Sequence, residues 1–193
     1  MHQAEKFRQE QEPRIDLLKE NLRVSFEIAP EAVEYLPAIS LGDGRSGRER
    51  FGVLLGAKQV NPDGSVHLQI KGVYQETAED GHRTYEEEID NVAYSLALIK
   101  KQVEKIQRDT PQHKEFGFLG DVHTHPGRAM PLYPSEEDLL SVIRAYESGT
   151  LSSAEPYVFG IGVRHPGGEM EYNFYRIVRT GSESGYGYKL LDE

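Results

Sequence analysis

The apolar positions along the chain recur with two periods. Arg23–Ile28 sets Val24, Phe26 and Ile28 against polar neighbours, the period-two pattern of a half-buried strand. Pro30 then opens a short helix through Ala32 and Val33 to Tyr35. Residues 50–57 (RFGVLLGA) read as a buried strand. Asn61-Pro-Asp-Gly64 reads as a turn, and residues 65–73 as the returning strand. Val92, Leu96, Ile99, Val103 and Ile106 fall at helical spacing and predict a helix over 92–106. A strand is expected over 116–122, a helix over 135–146, and two late strands over 157–163 and 170–178. The predicted order is β-α-β-β-α-β-α-β-β, a mixed sheet with helices on its faces.

The segments between carry other signals. Residues 42–47 (GDGRSG) form a loop, and residues 75–90 form an acidic one, with seven acidic residues against Arg83. Residues 1–20 are highly charged and broken at Pro13, which predicts a polar arm outside the core. The Gly/Ser/Tyr-rich C-terminus is expected to fray. The predicted organisation is an arm over 1–22, one domain over 23–180 and a tail over 181–193.

Charge and composition narrow the function classes. The 193 residues carry 22 Lys+Arg against 32 Asp+Glu, for a net charge of -10. Nucleic acid and anionic membrane are therefore poor partners, since phosphate binding needs clustered Lys and Arg. No run approaches 18 consecutive apolar residues, so no spanning helix is expected, and residues 1–14 show no apolar leader. A cytoplasmic location is the expectation. Nothing in the pattern specifies an oligomeric state. There is no cysteine, which excludes disulfides, a Cys nucleophile, thiolate zinc sites and iron–sulfur clusters. A metal here would have to be held by His and carboxylates.

Of seven histidines, five are isolated and read as surface residues; His123 and His125 differ. They sit at i and i+2 at the end of an apolar strand, on one face, with Cα atoms ~6.5–7 Å apart. Two imidazoles so spaced can converge on one metal at ~2.0–2.1 Å, though a surface H-x-H is an equally good reading of the pair alone. Pro126 ends the strand. Ser135-Glu-Glu-Asp138 then opens a helix. Its simplest reading is a capping box. The functional reading makes Asp138 a third ligand, leaving a fourth position to water, with Ser135 beside the metal as a donor to an oxyanion. Glu49, ahead of Gly52 and a Leu-rich strand, is either a solvated strand end or a carboxylate able to take a proton from a metal-bound water.

Together, Glu49 in E-R-F-G-V-L-L-G, His123-Thr-His125-Pro126 and Ser135-x-x-Asp138 resemble the JAMM (MPN+) metalloproteases, typified by zinc isopeptidases that remove ubiquitin. The resemblance covers about residues 23–178. It implies an α/β fold of the MPN, cytidine-deaminase-like kind, with a mixed central sheet flanked by helices. It also implies one catalytic Zn2+ on His123, His125 and Asp138, with Glu49 as general base. The implied substrate is an amide or isopeptide bond after the C-terminal tail of a ubiquitin-like protein, as in a prokaryotic-type deconjugating or precursor-processing enzyme. Residues 75–90 and 127–134 lie where the family's insertions grip that partner. The alternatives are a peptidase for a sulfur-carrier tail or small peptide, and a metal-free scaffold.

Two features depart from the family pattern. The loop between His125 and Ser135 is longer than usual and is expected to bulge outward. Asp121 stands where eukaryotic members often carry an aromatic. By strand parity it shares a face with the two histidines, either orienting one of them or lying at the pocket rim; the rim is the favoured placement.

Overall fold

The alternating segments fold into seven strands: β1 (Val24–Ile28), β2 (Phe51–Val60), β3 (Val66–Gln75), β4 (Gly117–His125), β5 (Val158–Arg164), β6 (Met170–Arg179) and β7 (Tyr186–Leu190). The computed structural model describes residues 15–36, 51–75, 103–104, 107–108, 114–125, 132–165, 167–181 and 185–191. The strands make one sheet in the order β1-β3-β2-β4-β5-β6-β7. The β1–β3 and β4–β5 pairs are parallel, and the other neighbours are antiparallel. The β2–β3 hairpin closes over Asn61–Ser65, where Gly64 takes the left-handed φ of 79° that this turn needs.

The sheet curls. Phe26 on β1 lies with its ring centroid 5.2 Å from that of Phe174 on β6, although four strands separate β1 and β6 in the sheet. One apolar cluster, with Leu54, Leu68, Ile70, Val122, Val158 and Phe174, fills the inside of this curl. A second, with Leu18, Val142, Ala145, Phe159, Ile161 and Ile177, packs the opposite face under a helix.

Two helices have both ends among the described residues, α1 (Pro30–Val33) and α2 (Glu136–Glu147), of 4 and 12 residues, and residues 103–104 and 107–108 are also helical. This corrects the expected α/β fold with a helix-flanked sheet of the MPN, cytidine-deaminase-like kind. The described protein is mostly β, a mixed seven-stranded sheet curled into a half-barrel. The physical reason is that the sheet's edges turn toward each other and cover the inner face, where a flat sheet would need helices to bury it. The helix predicted over 92–106 lies mostly outside the described residues, of which 103 and 104 are helical. The loop expected over 42–47 lies outside them as well, as do the one expected over 75–90, except Gln75, and the part before Leu132 of the one expected over 127–134.

Residues 15–22 and 185–191 join this core. Leu17 and Leu18, expected in an outlying arm, are buried. The Leu17 N–H donates to the Ser153 carbonyl at 2.7 Å, and the Arg179 N–H to the Leu18 carbonyl at 2.7 Å. The Arg176 guanidinium, also buried, donates to the carbonyls of Leu17, Lys19, Glu20 and Leu22 at 3.0–3.2 Å. Two leucines in an otherwise polar stretch suffice because their neighbours' carbonyls are satisfied by one planar donor. The tail expected to fray pairs as β7 against β6 from Tyr186 to Leu190. Among the described residues no helix is long and apolar enough to cross a membrane.

Candidate metal centre

The site is built at the carboxyl end of β4 and the start of α2, within a β4-α2-β5 unit whose strands run parallel. Parallel βαβ units characteristically gather functional groups at the carboxyl ends of their strands. β4 supplies His123 and His125, and α2 supplies Asp138 from its first turn, where the helix dipole favours a carboxylate.

A bulge prepares β4 for this role. In its pairing with β2 the register steps from Leu54↔Gly120 to Leu55↔Phe118. Alternation is thereby reset at Gly120, so Leu119 joins Val122 in the inner cluster while Phe118 and Asp121 both face Tyr157. Beyond the bulge the parity is regular, and Asp121, His123 and His125 share the face covered by α2.

The three sequence-derived ligands are brought together. One donor atom from each of His123, His125 and Asp138 lies within 4.8 Å of the others, and all three residues are buried. His123 Nε2 is 3.4 Å from Asp138 Oδ1, and His125 Nε2 is 3.8 Å from Asp138 Oδ2. His123 Nε2 is fully buried and has no hydrogen-bond partner among the described residues. A buried polar nitrogen left in this state, facing an imidazole and a carboxylate, is what a ligand atom of a metal site looks like without its ion. The donor set therefore can hold a metal ion.

Ser135 serves both readings of its motif. Its Oγ accepts from the Asp138 N–H at 3.2 Å and donates to Asp138 Oδ2 at 2.7 Å, while the Ser135 N–H donates to that same oxygen at 2.6 Å. The capping box is formed, and it grips the Asp138 carboxylate. Burial disfavours the Asp138 charge. The facing imidazoles of His123 and His125 and the Ser135 hydroxyl outweigh burial and hold Asp138 well below the usual carboxylate range. Burial likewise pulls His123 down, but the Asp121 hydrogen bond and the Asp138 carboxylate push it up to about 10.

Asp121 corrects the favoured rim placement. It is 3% exposed, and its Oδ1 accepts from His123 Nδ1 at 2.9 Å. Its other oxygen accepts from the Tyr157 hydroxyl at 2.5 Å. Sequence reasoning missed Tyr157, which directly precedes β5 and is brought beside Asp121 by the β4–β5 pairing. Glu49 lies outside the described residues; β2 begins two positions later at Phe51, which is in register with His123. A cleft of about 510 Å³ opens elsewhere, beside Asn21, Ser25, Arg176 and Lys189, and none of the candidate site residues lines it.

No family model matches the chain, and no curated protein does. Among solved structures, it is similar to the solution structure of protein DSY2949 from Desulfitobacterium hafniense, with 16% identity, a TM-score of 0.42, and coverage of 86% of this chain and 91% of that one.

Proposed function

We propose that the chain is a zinc-dependent metallopeptidase that hydrolyses an amide bond following the C-terminal tail of a ubiquitin-like protein, as a conjugate or a precursor. The observation that carries this reading is the buried cluster of His123, His125 and Asp138, in which His123 Nε2 has no hydrogen-bond partner among the described residues. Two imidazoles and one carboxylate are a ligand set of catalytic zinc, which keeps a position open. Burying three ionisable groups together is costly, and a bound cation would offset that cost, which favours a metal site over a metal-free scaffold. Bound there, zinc would polarise the scissile carbonyl and acidify a water molecule.

The chain's own residues do the rest. Asp138 and the two histidines bind the ion, and the capping box fixes the carboxylate's direction. Glu49 is the proton carrier, taking a proton from water and returning it to the leaving amine. The pairing of Phe51 with His123 supports that role, because it runs the strand after Glu49 along the ligand strand. Ser135 holds Asp138 in this geometry, and its hydroxyl must turn away from Oδ2 to donate to a developing oxyanion. Residues 75–90 and 127–134 are the candidate grip on the protein partner, whose tail of small residues suits a narrow approach.

The test pairs metal with turnover. Purified protein should carry about one zinc per chain by elemental analysis, and His123→Ala should lose it. The loaded protein should cleave a ubiquitin-like protein fused or isopeptide-linked through its C-terminal glycine. Metal content unchanged in His123→Ala sinks the ligand assignment, and a loaded protein inert on every such substrate sinks the peptidase reading.

A further inference from the structure

We propose that Asp121 and Tyr157 form a two-residue relay that holds the His123 ring in one tautomer and one orientation, with Nε2 directed to the metal. This rests on the metal reading above. The three residues are 3%, 6% and 3% exposed for Asp121, Tyr157 and His123, so no solvent competes for their bonds. A carboxylate only accepts, so the hydrogen between Asp121 Oδ1 and His123 Nδ1 belongs to the imidazole. In the neutral ring this leaves the lone pair on Nε2, the atom that has no partner among the described residues.

The far end of the relay is anchored by packing. The Tyr157 ring meets Phe118 edge-on at 5.7 Å between centroids and Phe159 at 5.1 Å. It belongs to the cluster under α2, while its hydroxyl reaches Asp121 Oδ2. Each Asp121 oxygen is thus held from a different strand, His123 on β4 and Tyr157 beside β5. The carboxylate cannot swing without losing one bond or the other. Such a partner behind a ligating histidine raises the ring's basicity and removes the cost of ordering it on binding. Asp121 and Tyr157 are positioning residues: neither has an atom in the ligand cluster.

A purely structural pair would affect unfolding and leave metal affinity alone, so the two are measured separately. Tyr157→Phe deletes one oxygen and keeps the ring; Asp121→Asn keeps the shape and loses the charge. Zinc affinity is read by competition with a chelator, the thermal transition is read on the chelated protein, and the His123 tautomer is read by nitrogen-15 NMR of the zinc-loaded protein. The relay predicts a zinc affinity about tenfold weaker in Tyr157→Phe and about 10–100-fold weaker in Asp121→Asn. It also predicts Nδ1–H, Nε2-bound His123 in the wild type. Wild-type affinity in both variants overturns the relay while leaving the metal site standing. A wild type that binds no zinc overturns both. Should Asp121→Asn fail to fold, Tyr157→Phe decides alone.

Discussion

The carbonyl oxygen of Val158 lies 2.0 Å from the point a Cβ on Gly120 would occupy. Gly120 also has a φ of 148°, a conformation that side-chain-bearing residues avoid. The missing side chain lets β5 come up against the bulge in β4, and that approach brings Tyr157 to Asp121. Gly120→Ala should therefore destabilise the fold by at least ~2 kcal/mol, from backbone strain and overpacking together. Thermal unfolding checks this, and zinc affinity should fall with it because the relay loses its register.

Arg176 makes a prediction about the N-terminal segment. Its guanidinium satisfies four carbonyls between Leu17 and Leu22, so Arg176→Met leaves them facing an apolar chain. The cost should be about 3 kcal/mol or more, since bonds to a charged donor contribute ~1.5–3 kcal/mol each before compensation by water. Removal of residues 1–20 should likewise lower the thermal transition, because it takes Leu17 and Leu18 out of the core. An unchanged transition in both variants would show that the segment is passive.

Ser135→Ala separates the two uses of one hydroxyl. Loss of the cap should cost ~1 kcal/mol, a fall of roughly 2–4 °C in the transition for a chain of this length. If the hydroxyl also donates to an oxyanion, kcat should drop about 10²–10³-fold. A shifted transition with unaltered kcat would leave Ser135 as a cap and a support for Asp138 alone.

Glu49→Gln keeps the shape of the side chain and removes its ability to take a proton. It should retain zinc and lose about 10²–10⁴-fold in turnover. Wild-type cleavage by this variant refutes the general-base role, and loss of zinc would make Glu49 a ligand.

The metal-free protein should show a stability plateau bounded by two of its ligands. His123 is raised from 6.5 to about 10 on folding, so its contribution is complete below pH 6.5 and disappears as pH climbs toward 10. Asp138 is depressed from 3.8, so its contribution is present above pH 3.8 and lost as pH falls below it. The transition temperature with chelator should be level between the two limits and decline on both sides. Zinc must displace the His123 proton, so its apparent affinity should rise with pH over the alkaline limb. Calorimetry across pH 3 to 10, with and without zinc, measures both trends.

Much of the fold could be read from local pattern. Val24, Phe26 and Ile28 alternate because one face of β1 is buried, and Asn61-Pro-Asp-Gly64 turns the chain for reasons contained in those four residues. The gathering of His123, His125 and Asp138 was legible too, because His123 and His125 share a strand face and Ser135 and Asp138 share a helix start. Both spacings depend on backbone periods alone. The curl of the sheet, the burial of Leu17 and Leu18, the pairing of β7 and the place of Asp121 were not legible. Each depends on a partner far away in the chain: Arg176 reaches back 159 residues to Leu17, and Tyr157 reaches back 36 to Asp121. Asp121 reads equally well as a rim carboxylate until β5 lies beside β4. Side chains on one strand or one turn of helix are positioned by the backbone they share, whereas a buried charge finds its partner only when distant strands close over it and exclude the water that would otherwise satisfy it.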